Sequence, residues 1–182
     1  MSSDPVRWSG LAAVVGGVAW ILAWTILGAM PVAPPGGHRE GWERFNLWSG
    51  VALMLTMIGL TGAHLRQVRR IGGIGHAGFI LPWTGTALMG AGRLGQLVVI
   101  GGAWILVILG AFALTIGVVL FGIATLRAKV LPSAAGLLLL AAGLMLLLVD
   151  PENRRAFLAL PYGIAWLWLG YALWSGRVME GE

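Results

Sequence analysis

From Gly10 to Met30 the chain runs 21 residues without a charged side chain. A helix needs about 20 apolar residues to cross the hydrocarbon of a bilayer, whereas the core of a signal peptide uses roughly 7 to 15. The run therefore reads as a membrane-spanning helix rather than a cleaved leader, although Arg7 precedes it and small residues from Ala29 to Ala33 follow it. It ends in PVAPPGGHREGWER, a stretch whose prolines and glycines no helix continues through.

Composition turns this one run into a rule for the whole chain. Only 10% of the residues are charged, against about 25% in a soluble domain. Too few charges are present to clothe a water-facing surface, so lipid has to be the solvent for most of the protein. Six apolar segments can be placed, at about 10–30, 45–65, 74–92, 104–126, 133–149 and 156–174. None alternates with the period of a barrel strand. Backbone groups in hydrocarbon must be satisfied within the segment, so helices are expected throughout. The third segment is the weakest, being rich in glycine and containing Pro82. The stretch LGQLVVIGG before the fourth reads as an interfacial connection. The reading is an all-α integral membrane protein, one polytopic domain from 1 to 182.

Positive charge gives an orientation. With six crossings, one side receives Arg7, Arg66, Arg69, Arg70, Arg127, Lys129 and Arg177, and the other receives Arg39, Arg44, Arg93, Arg154 and Arg155. The richer side is cytoplasmic, which places both termini inside. If the third segment did not span, the count would again be seven to five, so charge alone does not choose between five helices and six. A weak internal echo does. VRWS at 6–9 precedes the first segment and VLPS at 130–133 the fifth, with Gly10 and Gly17 matched by Gly136 and Gly143. The endings GAHLR (62–66), GIATLR (122–127) and GYALWSGR (170–177) also resemble one another. Three such endings on one side imply three helical hairpins. Arginine outnumbers lysine eleven to one, the bias of a GC-rich bacterial genome, so a bacterial inner (plasma) membrane is the expected location.

The chemistry-bearing stretch is HLRQVRRIGGIGHAG, residues 64–78. It contains the pattern Gly73-x-Gly75-x-x-Gly78, but a dinucleotide fingerprint needs a strand before it and an acidic residue roughly 20 positions after it. No Asp or Glu occurs between Glu43 and Asp150, so nucleotide binding is set aside in favour of a turn whose small residues allow close helix packing. His64 and His76 flank this turn at similar expected depth and are the candidate cofactor ligands, for haem if for anything. The neighbouring arginines and the lack of carboxylates disfavour a metal cation. His38 reads as a solvated loop residue. Arg66, Arg69, Arg70, Arg127 and Lys129 read as topology determinants that also attract anionic headgroups.

Arg93 is the one charge able to fall inside the hydrocarbon. Counting from Ile74 puts it at the outer boundary, near Gln96, where it snorkels or finds a structural ion pair among Glu40, Glu43, Asp150 and Glu152. Of ten tryptophans, Trp8, Trp42, Trp48, Trp104 and Trp174 suit interfacial belts. Trp83, Trp166 and Trp168 fall nearer the midplane, beside Pro82 and Pro161, and are the candidate lining of a pocket for a flat apolar ligand.

Several functions are disfavoured. No Asp, Glu or Lys lies within a span, which argues against proton- or sodium-coupled transport. No nucleophile stands with a base, and HExxH and GxSxG are absent, so hydrolysis is not expected. With no cysteine there is no thiolate site. The short basic loops are not a nucleic-acid surface. The leading expectation is a structural or accessory subunit, associating with other membrane subunits or with itself through small-residue faces at Ala12/Gly16, Ala13/Gly17 and Gly59/Ala63. The alternatives are a binder or carrier of a lipophilic small molecule (lipid, quinone or pigment) and a haem-linked redox subunit using His64 and His76.

Overall fold

The computed structural model of the protein describes residues 4–32, 40–98 and 101–176, and among them it is all helical. The helices are α1 Asp4–Ala29, α2 Trp42–Gln67, α3 Gly72–Leu97, α4 Ala103–Ala128, α5 Ser133–Leu146 and α6 Leu160–Trp174, the last preceded by a 3₁₀ segment, Arg154–Ala159. His38, Arg39 and Arg177 lie outside the described residues, as do Val99 and Ile100 of the connection before α4.

Four elements are long and apolar enough to cross a membrane: Pro5–Ala29, Trp42–Gln67, Ala103–Ala128 and the combined Arg154–Trp174. The other two depart from this for different reasons. Helix α3 has 26 residues, ample length, but glycines, threonine and Arg93 dilute its apolar character. Helix α5 is strongly apolar but only 14 residues long, about 21 Å at 1.5 Å per residue, against a hydrocarbon thickness of about 30 Å.

Each helix packs on the next in sequence, and α6 returns to α1, so the bundle closes into a ring. Facing residues show that neighbours run antiparallel. On α1 and α6, Gly10 meets Gly170 and Gly17 meets Gly163; an added methyl carbon would lie 2.8 Å and 2.7 Å from the facing carbonyl oxygens. Helices α3 and α4 make the most extensive contact. Gly78, Gly85 and Gly92 recur every seven residues on α3, and Gly110 and Gly117 do so on α4. A methyl carbon at Gly110 would lie 2.6 Å from the carbonyl oxygen of Gly85. Without side chains at these points the backbones touch, and dispersion acts over the full helix length.

The same packing redirects the small-residue faces. Gly16 lies against Leu55 and Thr56, Gly17 against α6 and Gly59 against Ala13. Ala13 and Ala63 are fully buried. These residues join helices within one chain, while Ala12 remains half-buried. The apolar residues left outside the ring, among them Leu22, Ile26, Phe112, Ile116, Leu137 and Leu144, are each more than half exposed. A girdle of that kind in water would be a large unpartnered apolar surface; facing acyl chains it costs nothing.

Proline behaves differently at positions 82 and 161. Pro82 lies inside α3, buried, with its ring against Gly117 of α4, and the helix continues through it. Pro161 occupies the first turn of α6, where a missing N–H has no intrahelical partner to lose. It starts its helix and does not interrupt one.

Candidate functional site: a cavity with a buried arginine

One end of the ring gathers the start of α2, the end of α3, the start of α4 and the α5–α6 connection. Helix α3 continues past Gly92 to Leu97, so Arg93 lies one turn before its end, on the face turned into the bundle. Its side chain is only 5% exposed. The guanidinium Nη1 donates to the amide oxygen of Asn46 at 3.0 Å, and Asn46 Nδ2 donates to Gln96 Oε1 at 2.9 Å. The Arg93 Cζ stands 4.7 Å from the centre of the Phe45 ring. Among the described residues Arg93 is met by an amide dipole and an aromatic face, and no carboxylate pairs with it. Its Nε is buried without a hydrogen-bond partner. A buried cation held by neutral groups alone keeps much of its desolvation penalty.

Two cavities meet at this side chain. The outer one has a volume of about 750 Å³, with Trp42, Glu43, Gln96, Trp104 and Glu152 toward its mouth and Asn46 and Arg93 deeper. The inner one, about 160 Å³, is walled by Trp20, Trp24, Met89, Leu114 and Leu146 and again touches Arg93. The short α5 accounts for the space. It stops at Leu146, and the chain then turns through an Asp150 cap, whose carboxylate accepts from the Glu152 backbone N–H at 2.9 Å and from the Asn153 side chain. Asn153 in turn accepts from the Arg155 N–H at 2.7 Å and starts the 3₁₀ segment. Pro151 and Glu152 of this turn line the cavity where a longer helix would have filled it.

A file of aromatic rings runs from the core to the arginine. Trp166 meets Tyr162 at 5.8 Å between ring centres, Tyr162 meets Trp20 at 4.9 Å, Trp20 meets Trp24 at 5.5 Å and Trp24 meets Phe45 at 4.9 Å. Trp20 Nε1 donates to the Ala159 carbonyl at 2.8 Å, which ties α1 to the 3₁₀ segment. Asn46, Trp20 and Trp24 escape a reading that looks for charges and prolines. The available signal was positional: Trp20, Trp24 and Leu27 share one face of α1 at i, i+4 and i+7.

The midplane pocket does not assemble. Trp166 is buried in the aromatic file, while Trp83 and Trp168 are each 40% exposed on the outside of the ring. They sit on α3 and α6, which are not neighbours in it.

The two histidines do come together at the opposite end. Their ring centres are 5.5 Å apart, edge to face, and His64 stacks flat on Phe79 at 4.0 Å. His76 Nδ1 is 2.8 Å from the Gly72 carbonyl oxygen of its own helix. Haem ligation needs two ring nitrogens aimed at one iron from opposite faces of a planar macrocycle. An edge-to-face pair at this distance leaves no slot for one, so the arrangement does not fit haem. Among the described residues, no group of three or more His, Asp or Glu stands together in a way that could hold a metal ion. Nearby, buried Gln67 donates to Thr125 Oγ1 at 3.1 Å. The glycine pattern at 73–78 falls within α3, where Gly78 abuts the backbone of Phe121. Arg69, Arg70, Arg127 and Lys129 are exposed at this end, and Arg66 reaches the Gly176 carbonyl at 3.4 Å. Trp8 and Trp174 pack edge to face beside them, with Arg7 over the Trp174 ring.

No protein-family model, curated protein or solved structure matches the chain.

Proposed function

We propose that the protein is a six-crossing membrane protein, both termini cytoplasmic, that binds a lipophilic small molecule in the cavity at Arg93. The observation that carries this reading is the cavity itself. A chain that uses its glycines to bring helix backbones into contact leaves about 750 Å³ open at one end, above an apolar chamber. That volume is in the range of small-molecule sites, and its walls combine aromatic surface with a few polar groups. Six crossings are supported by the closed ring, because α3 lies between α2 and α4 along its whole length and α5 lies between α4 and α6. The exposed basic residues at the histidine end support the cytoplasmic assignment of that end. A subunit that associates through its small-residue faces is less well supported, because those faces are used inside the chain.

The test is native mass spectrometry of protein released from its own membrane in mild detergent. A retained lipid-like molecule is the expected result, and its loss in Trp20→Ala or Trp24→Ala locates it. Bare protein under conditions that preserve lipid on a control membrane protein overturns the reading. Topology is tested by single cysteines, for which the chain provides a cysteine-free background. Position 102 should label from outside and position 129 from inside; the reverse overturns the orientation.

A further inference from the structure

We infer that the ligand is a zwitterionic phospholipid whose phosphate meets Arg93 and whose ammonium group faces Glu43 and Glu152. The inference rests on the binding reading above and names the chemistry that the cavity selects.

Charge along the depth of the cavity makes the selection. Glu43 and Trp42 open α2, and Asn46 lies three residues further in; Gln96 and Leu97 close α3, and Arg93 lies a turn further in. Glu152 enters from the connection after α5. The two carboxylates therefore stand at the mouth and the cation stands beneath them. A simple anion would meet the exposed Glu43 carboxylate at the mouth, and a simple cation would be repelled at Arg93. A neutral quinone or sterol would leave the guanidinium with its Nε unpartnered in a site 5% exposed. A molecule with its positive group outermost and its negative group one step deeper is attracted at both levels. A guanidinium suits phosphate oxygens, presenting several N–H donors in a fixed fork. The indoles of Trp42 and Trp104 at the mouth suit an ammonium.

The apolar part follows the same order. Met89 lies one turn deeper than Arg93 on α3, and Leu114 lies deeper than Trp104 on α4, so the inner chamber is on the midplane side of the cation. At 160 Å³ it holds on the order of five groups the size of a water, roughly 30 Å³ each, which is the proximal part of one acyl chain. A phospholipid entering from the adjacent leaflet has this sequence of groups: amine outside, phosphate next, chains toward the midplane.

The experiment titrates delipidated full-length protein with four probes, read by native mass spectrometry. They are phosphatidylethanolamine, phosphatidylglycerol with the same chains, soluble glycerophosphoethanolamine and inorganic phosphate. The expected result is one phosphatidylethanolamine retained at least about tenfold over phosphatidylglycerol, a difference of about 1.4 kcal/mol. Arg93→Gln should abolish that retention, and Arg93→Lys should keep part of it. Glu43→Gln combined with Glu152→Gln should keep lipid binding and remove the preference over phosphatidylglycerol; this rim variant carries the test if Arg93→Gln does not fold. Preference for phosphatidylglycerol in the unmodified protein, or full retention in Arg93→Gln, overturns the inference. Equal binding of either soluble probe overturns the lipid assignment. Some other lipophile retained by protein released from its own membrane, with neither phospholipid bound in the titration, defeats this inference alone. Retention of nothing at all defeats the binding reading with it.

Discussion

The two ends of the bundle are built from the same helices, α2 and α3 among them, and both bury polar side chains, yet they end differently. At the histidine end, α2 contributes His64, stacked on Phe79, and Gln67, which donates to Thr125. His64 Nδ1 and Gln67 Oε1 are buried without a hydrogen-bond partner among the described residues, but the cavities that open beside Arg93 do not reach them. Gly78 on α3 and Ala124 and Ala128 on α4 let the helices close over them. At the cavity end, α2 contributes Asn46, and α3 contributes a full charge. There α5 has stopped and α3 has run on. Polar burial at the first end fixes how the helices fit together. At the second it holds a cation beside open space, an arrangement that stability alone does not favour. The proposed division into packing at one end and binding at the other rests on this open space.

If that contrast is right, the largest effect should come from removing the one neutral group that hydrogen-bonds the cation. Asn46→Leu leaves the guanidinium with only the Phe45 ring and strands Gln96 as well. The expected loss is about 3 kcal/mol, read as unfolding free energy in detergent. Adding Arg93→Met should recover most of it, because a buried charge replaced by an apolar side chain of similar length is often neutral or stabilising. A double variant no more stable than Asn46→Leu alone would mean that Arg93 belongs to the packing machinery, and the two ends would no longer differ.

The next effect belongs to the closed end. A methyl carbon at Gly78 would lie 2.7 Å from the backbone nitrogen of Phe121, and backbone cannot turn aside as a side chain can. Gly78→Ala is expected to cost about 2 kcal/mol, in the range for overpacking, despite the better helix propensity of alanine. Gln67→Leu at the same end removes one neutral hydrogen bond and should cost about 1 kcal/mol. Neither change should alter lipid retention at the other end; a change there would show that the ends are coupled.

How much of this could be read from the chain alone follows from the same physics. Helices were legible, because long uncharged runs fit no other element, and four of them are long and apolar enough to cross a membrane. Each expected segment overlaps a helix; the start at Ser133 and the end at Trp174 coincide, while the end of α3 and the end of α5 differ by several residues. Hydropathy stops at Gly92, while a helix continues as long as its backbone bonds can, so Arg93 lies one turn before the end of α3. That His64 and His76 lie at similar depth was legible because a short connection fixes both; that their rings meet was not, since it depends on how each helix is turned. The cavity was not, since it arises where α5 falls short of its neighbours, and a helix end is visible only against the helices beside it. The tryptophans misled for a related reason: an indole's depth follows from its position in the segment, but whether it faces the ring or the lipid depends on which face is packed. Trp20 and Trp166 face inward and Trp83 and Trp168 outward.

The smallest effect gives the sharpest comparison, because its sign should reverse between the ends. Gly50 lies on α2 at the cavity end, and unlike Gly78 it is not pressed against backbone. A methyl carbon there would have its nearest neighbours, Arg93 Cβ and a Leu94 methyl, at 4.0 Å, an ordinary contact. Steric cost is therefore absent, and what remains is the conformational entropy that glycine loses on entering a helix. Gly50→Ala should stabilise the protein by about 0.5 to 1 kcal/mol, seen as a higher unfolding midpoint. Since Gly50 borders Arg93, the same variant should retain less ligand if the site must open around it, and the same amount if the cavity is preformed. A loss of stability comparable to Gly78→Ala would mean that the cavity end is packed as tightly as the histidine end, and that the space beside Arg93 is not there to be filled.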